Sequence, residues 1–267
     1  MKKVAYRTFI ELTNKKWSSL LIKKFVQSRL SSLLIPTFIK TYKIKMEEVE
    51  GAIGSYKTLH DFFIRKLKKG ARPIHFGQHH VISPVDGVLA STGIINDKLV
   101  MNVKGKDYSI TEMLGNREKA SSYIGGDFLI FYLSPANYHR IHSPIKAYVL
   151  DKWQLGTNSY PVNNTGVAYG KEVFSKNFRM VTELQTKEEK VALVKVGAMF
   201  VNSIEYSTED IEWGQGDEVA YFSFGSTVIL LFEKDRFQLS SHISVPAPVE
   251  MGCKVGEIKR KEMDESK

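Results

Sequence analysis

The sequence predicts an α+β fold: a β-rich core of antiparallel or mixed sheets carrying a helical, basic N-terminal lobe. Three observations lead there. From Val81 onward, short runs of β-branched and aromatic residues alternate with Gly, Pro, Asn and Asp, the signature of strands joined by turns. Before Val81 the apolar residues lie in broad faces broken by Lys and Arg, which suits helices better than strands. The charge divides at nearly the same place. Residues 1–72 hold 17 Lys/Arg against 5 Asp/Glu, a net of +12, while the rest of the chain has a net of −3. This suggests a lobe over 1–72 and a core over 73–267.

With 43% hydrophobic and 25% charged residues, the chain has the composition of a globular protein and enough length for a sizeable core. A single cysteine, Cys253, excludes an intramolecular disulfide framework and suits a reducing compartment. A basic segment beside a nearly neutral body points to an anionic surface as partner. Aromatic residues are not interleaved with the basic ones as in single-strand nucleic-acid grooves, so a membrane is favoured and nucleic acid is not expected.

In chain order, Met1–Phe9 lacks the apolar centre of a secretory signal, because Arg7 breaks the run. Trp17–Ile39 is the most apolar part of the N-terminus, but Lys23, Lys24 and Arg29 interrupt it, and it is no continuous span. Two helices broken near Pro36 are expected there. They would serve either as a hairpin packed on the core or as an in-plane membrane contact with Trp17 at the interface. Thr58–Leu67 reads as another short helix, with Thr58 as its cap and Asp61 three residues on. His60, His75, His79 and His80 show no metal-site spacing, and no metal is expected.

Strands are expected over 87–90, 98–101, 126–133, 147–150, 191–196 and 227–232, with a short helix over 108–114 and a hairpin loop over 183–190. The run Val219–Phe232 reads as one buried strand interrupted by a Gly225-Ser226-Thr227 step.

Three stretches carry candidate chemistry. Ile82-Ser83-Pro84-Val85-Asp86-Gly87 places an Asp at a turn after an apolar run. Tyr138-His139-Arg140-Ile141-His142-Ser143-Pro144 offers two histidines three apart, which would share a face on a helix or tight turn. Phe224-Gly225-Ser226-Thr227 offers a hydroxyl beside a glycine. Ser, His and Asp can form a nucleophile, a base and an orienting carboxylate wherever a fold joins them.

In this order, from about Ser55 to about Ile258, the stretches resemble the phosphatidylserine decarboxylase proenzymes, a pyruvoyl-dependent family. Tyr160-Pro161-Val162-Asn163, Asn177-Phe178-Arg179 and Val196-Gly197-Ala198 belong to the same resemblance. It implies self-cleavage between Gly225 and Ser226, giving a β chain of 1–225 and an α chain of 226–267 that begins with a pyruvoyl group. By the same resemblance Asp86 orients His142, His142 takes the Ser226 proton, and Ser226 becomes the pyruvoyl and Schiff-base site. His139 is the acid or base of decarboxylation. The implied substrate is phosphatidylserine, met at the cytoplasmic face of the cytoplasmic membrane by a peripheral protein. Oligomeric state stays open, a homodimer among the alternatives. A Ser-His-Asp lipid hydrolase that never cuts itself and a non-enzymatic membrane-binding β domain are the competing readings. Against the hydrolase, Ser226 lies outside a Gly-x-Ser-x-Gly elbow.

Overall fold

A computed structural model describes residues 21, 23–162, 166–167, 172–198, 204–223 and 226–260, with Ser226 by its backbone. A 3-10 turn over Arg29–Leu34 leads directly into α1 (Ile35–Tyr42), and α2 spans Leu59–Phe63. The core begins with β1 (His80–Ile82), β2 (Gly87–Ile94), β3 (Val100–Val103) and β4 (Lys106–Ser109), followed by α3 (Ile110–Leu114) and α4 (Arg117–Ser121). It continues through β5 (Gly126–Leu133), β6 (Arg140–His142), β7 (Ala147–Leu155), α5 (Val173–Lys176), β8 (Arg179–Gln185) and β9 (Lys190–Gly197). The last strands are β10 (Ile204–Tyr206), β11 (Glu212–Trp213), β12 (Glu218–Phe222), β13 (Ser226–Lys234), β14 (Phe237–Leu239), β15 (Ala247–Val249) and β16 (Lys254–Ile258).

Eight strands form the central sheet, in the order β11-β7-β8-β9-β13-β5-β2-β15, with every neighbouring pair antiparallel. Both faces of its centre are covered. Val228, Leu230 and Phe232 of β13 join one apolar cluster with Phe222 and Trp213, while Ile229 and Leu231 join a second with Tyr108 and Phe174. Burial on both faces explains why β13 is a continuous apolar run rather than an alternating one. A three-stranded sheet, β10-β12-β6, contributes Ile204, Phe222 and Ile141 to the first cluster.

The expectation of one strand over Val219–Phe232 fails here. β12 lies in the small sheet and β13 in the central one, so Phe222 and Ser226 belong to different sheets. Periodicity cannot show this, because both strands are buried.

The N-terminal break also falls elsewhere than expected. Pro36 sits in the first turn of α1, where its missing N–H leaves no bond unmade, and the chain bends at 27–28 instead. The expected helix over 58–67 is confined to α2, capped where Thr58 accepts a 3.0 Å hydrogen bond from the Asp61 amide. Val26, Ile35, Leu59 and Phe62 make a small apolar cluster of their own. Residues 1–20, including Trp17, lie outside the described residues.

The charged hairpin between β8 and β9 buries one of its acids. Glu189 is 2% exposed, and neither of its carboxyl oxygens has a hydrogen-bond partner. Burial, reinforced by the neighbouring Glu233 charge, pushes its pKa up to about 8. A carboxyl raised in the folded state favours folding below its unfolded pKa, and that contribution is lost as pH rises through the folded value. The Glu189→Gln variant should therefore gain on the parent protein as pH rises from 5 to 8.5, by about 3 kcal/mol in chemical denaturation. A gap that stays constant with pH would show that Glu189 titrates normally.

Candidate active site

The candidate residues gather around the loop between β5 and β6. Asn137 shapes this loop: its Oδ1 accepts from the Ser134 amide and the Ser134 hydroxyl, both at 2.8 Å. Arg65 Nη2 donates to the carbonyls of Ala136 at 2.8 Å and Asn137 at 3.0 Å. Arg140 Nε donates to the Ile64 carbonyl at 3.0 Å. The lobe residues that follow α2 thus hold the loop in place.

His139 and His142 do not share a face. The chain is extended through β6, and an odd spacing in extended backbone sends side chains to opposite sides. His139 is fully buried, with its ring 4.0 Å from that of Phe63. Its Nδ1 donates to the Asn137 carbonyl at 2.8 Å, which leaves the Nε2 lone pair buried with no partner. Burial, aided by the Arg65 charge, pushes the His139 pKa down to about 3, so the ring is neutral at physiological pH. Burial also lowers the pKa of His142, opposed by its bond to Gly216 and by the charges of Glu218 and Asp86.

Asp86 and His142 are not joined by a hydrogen bond. His142 Nδ1 donates to the Gly216 carbonyl at 2.8 Å, and its Nε2 meets the Tyr138 hydroxyl at 3.0 Å. The Gly216 carbonyl therefore selects the tautomer, the task the sequence reading gave to Asp86. Asp86 is taken by a guanidinium instead: Arg72 Nε lies 2.9 Å from Oδ1, and Arg72 Nη2 lies 2.7 Å from Oδ2. The Met251 amide donates to Oδ1 at 2.8 Å. A charged fork with two parallel bonds outcompetes a neutral imidazole for a buried carboxylate. Gly87, next in sequence, is required by a close approach, since a Cβ there would stand 2.3 Å from the Tyr132 carbonyl oxygen.

Ser226 opens β13 and pairs on one side with Leu133, the last residue before the histidine loop, and on the other with Gly197. Asn177 braces that second side. Its Nδ2 donates to the Tyr160 carbonyl at 2.8 Å and to the Gly197 carbonyl at 2.9 Å, while its Oδ1 accepts from the Tyr160 amide at 3.0 Å. Three scattered sequence pieces thereby converge beside Ser226. Just upstream, the Phe222 amide donates to the His139 carbonyl at 3.0 Å. The hydroxyls of Ser223 and Thr227 are buried without partners, as is His139 Nε2. Gly225 lies outside the described residues. Among the described residues, no group of three or more His, Cys, Asp or Glu is placed to hold a metal.

Arg72, Tyr138, Gly216 and Arg65 are residues the sequence reading missed. The only signal for Tyr138 was its place beside His139, and a backbone carbonyl such as that of Gly216 leaves no sequence signal at all.

The family model for phosphatidylserine decarboxylase matches residues 59–257. The chain is 51% identical to a phosphatidylserine decarboxylase proenzyme of Geobacillus sp. (strain WCH70), over 97% of this chain and 100% of that relative. Proteins of the same description from Bacillus thuringiensis subsp. konkukian (strain 97-27) and Bacillus cereus (strain B4264) are each 49% identical, over 96% of this chain and 97% of the relative.

Removing one partner of a buried ion pair strands the other charge, at a cost of about 3–5 kcal/mol. Arg72→Leu should lower stability by about 3 kcal/mol in urea denaturation, because the Met251 amide still holds one Asp86 oxygen. A loss under about 1 kcal/mol, typical of an exposed pair, would show that Asp86 is not desolvated in solution.

Proposed function

This chain belongs to the phosphatidylserine decarboxylase family, and from that premise we propose how its residues carry the reaction. The protein is a self-processing decarboxylase that converts phosphatidylserine to phosphatidylethanolamine and carbon dioxide. The observation that supports our residue assignment is strand register. Ser226 pairs with Leu133, and four residues upstream Phe222 is bonded to His139, so the segment around Gly225 is bracketed by the histidine loop.

In self-cleavage, neutral His142 takes the Ser226 hydroxyl proton at Nε2, with Nδ1–H held by the Gly216 carbonyl. The Tyr138 hydroxyl, now on that nitrogen, gives way or passes the proton along. The Ser226 oxygen attacks the Gly225 carbonyl carbon, and the amide becomes an ester. Loss of the Ser226 α proton then expels the Gly225 carboxylate and leaves a dehydroalanine. Water replaces its nitrogen, ammonia departs, and the new chain begins with a pyruvoyl group. Asp86 acts on His142 through its charge, which favours the imidazolium formed in the first step.

Such a group would meet buried polar atoms in this part of the fold, since the Ser223 hydroxyl and His139 Nε2 have no hydrogen-bond partner among the described residues. A pyruvoyl carbonyl supplies the electron sink for an amino-acid headgroup, the role pyridoxal phosphate fills elsewhere. His139 moves the proton. With Nδ1–H pinned to Asn137, a neutral ring offers a lone pair at Nε2, so it must take a proton before it can give one. The substrate ammonium is the source, because its nitrogen must shed protons to react. His139 then returns that proton to the substrate Cα after carbon dioxide has left.

The lobe is the membrane contact. Leu21, Leu30 and Leu33 are 68%, 70% and 76% exposed, beside Lys23, Lys24 and Arg29. Among the described residues, no helix is long and apolar enough to cross a bilayer. Exposed leucines with interleaved cations suit a peripheral protein seated in an anionic cytoplasmic leaflet.

Denaturing mass spectrometry should find two chains, with the α chain blocked to stepwise sequencing. His142→Ala should stay as one full-length chain. His139→Ala should still cut itself yet release carbon dioxide about 10²–10⁴-fold more slowly. Because burial keeps the His142 pKa below 6.5, the cutting rate should hold from pH 8 down past 6.5 and fall only in more acid solution. If His139→Ala stays uncut while His142→Ala is processed, the two roles are exchanged.

Binding to phosphatidylglycerol-containing vesicles should weaken as salt rises and weaken further in a Lys23, Lys24 and Arg29→Gln triple variant. Unchanged flotation in that variant and in Leu30→Ser/Leu33→Ser would make the lobe a packing element only.

A further inference from the structure

Beside Asp86 lies a cavity of about 270 Å³ that the chemistry above does not use. Its walls carry the cations Lys43, Lys45, Arg65 and Arg72 and also the carboxylates Glu48, Asp86 and Glu250, with Lys45 paired to Glu48 and Arg72 to both Glu48 and Asp86. Arg65 is its distinctive feature. The residue is only 3% exposed, and while Nη2 is bonded to two loop carbonyls and the guanidinium lies 5.3 Å from the centre of the Phe62 ring, Nε and Nη1 are buried with no hydrogen-bond partner among the described residues. Burial pulls its pKa down to about 10, and the two carboxylates whose charge acts on it, Asp86 and Glu48, are both engaged by Arg72. A buried guanidinium with unmet donors is costly, and a bound anion offsets that cost.

We propose that this cavity is the headgroup subsite and that Arg65 binds the phosphodiester of the substrate. The proposal rests on the reading of the substrate as phosphatidylserine. The volume suits a phosphodiester headgroup and leaves no room for two acyl chains, which remain on the membrane side. Lys43, in the cavity wall, caps the C-terminus of α1, the helix that follows the turn bearing exposed Leu30 and Leu33. The headgroup carries two anions, and the chemistry separates them. The carboxylate leaves as neutral carbon dioxide, so a guanidinium on it would favour the ground state over the transition state and slow the reaction. The phosphodiester keeps its charge throughout, and a cation on it binds both states equally. Placing the cations there anchors the substrate without opposing loss of the carboxylate.

The test uses the Ser226→Ala protein, which keeps one uncut chain and turns nothing over. Calorimetry measures its affinity for two soluble headgroups, glycerophosphoserine and glycerophosphoethanolamine. Introducing Arg65→Gln should weaken both by the same factor, about tenfold or more, as expected for losing charge-assisted hydrogen bonds. Unchanged affinity for both would overturn the proposal. A loss confined to glycerophosphoserine would overturn it too, by placing Arg65 on the carboxylate. Should thermal melting show that Arg65→Gln does not fold, Arg65→Lys, which keeps the charge but not the fork, is read in the same way with a smaller common factor. No pyruvoyl group is needed for this measurement. A failure of self-cleavage in the parent protein would therefore sink the functional reading alone, and a failure here would sink the subsite alone.

Discussion

The antiparallel register of β13 between β5 and β9 is the constraint on which the rest of this molecule depends. It places the Ser226 backbone opposite Leu133 and Gly197 at the end of the central sheet. Because Leu133 leads straight into the loop that carries His139 and His142, the same register brings that loop to the start of β13. A slip of one residue would turn every side chain of β13 to the wrong face. Apolar burial on both faces makes such a slip costly, since Val228 and Leu230 pack into one cluster and Ile229 and Leu231 into the other. The core therefore sets the geometry of the site.

Near the candidate site, several polar groups are paired to hold the loops, while others are left unpaired. Asn177 and Arg179 spend their donors on backbone carbonyls, and Asn137 Oδ1 accepts from the Ser134 amide and hydroxyl, which fixes the loops on either side of β13. By contrast, His139 Nε2, the Ser223 and Thr227 hydroxyls and two donors of Arg65 have no hydrogen-bond partner among the described residues. Unmet buried polar atoms are uncommon and each asks for a reason. Here they lie around the change of sheets between Phe222 and Ser226 and in the adjoining cavity, where a processed residue and an anionic headgroup would satisfy them.

Burial also divides labour between the histidines. Burial disfavours the charged form of both rings, and each is oriented by a backbone carbonyl, His139 by Asn137 and His142 by Gly216. A carbonyl fixes the tautomer without adding a charge. In both rings Nε2 is left as the atom that can take a proton, and extended backbone between them aims the two at different tasks.

Read alone, the sequence determined the α+β class, the family resemblance, the basic charge of its first 72 residues and most of the strands. Those features are local: period-2 and continuous apolar runs, turn residues and charge counts need no knowledge of distant partners. The order of the motifs likewise lies within the chain itself. Tertiary structure decided what depends on contacts between distant segments. It split Val219–Phe232 between two sheets, gave Asp86 to Arg72 rather than to His142, and enlisted the Gly216 carbonyl as the orienting group. It also brought Asn177 to Gly197 and Arg65 to a cavity wall. A buried carboxylate takes whichever partner forms the stronger hydrogen bonds, and residue types alone do not say which cation the fold delivers to it. Backbone carbonyls are the same in every residue, so their roles emerge only once the chain is folded.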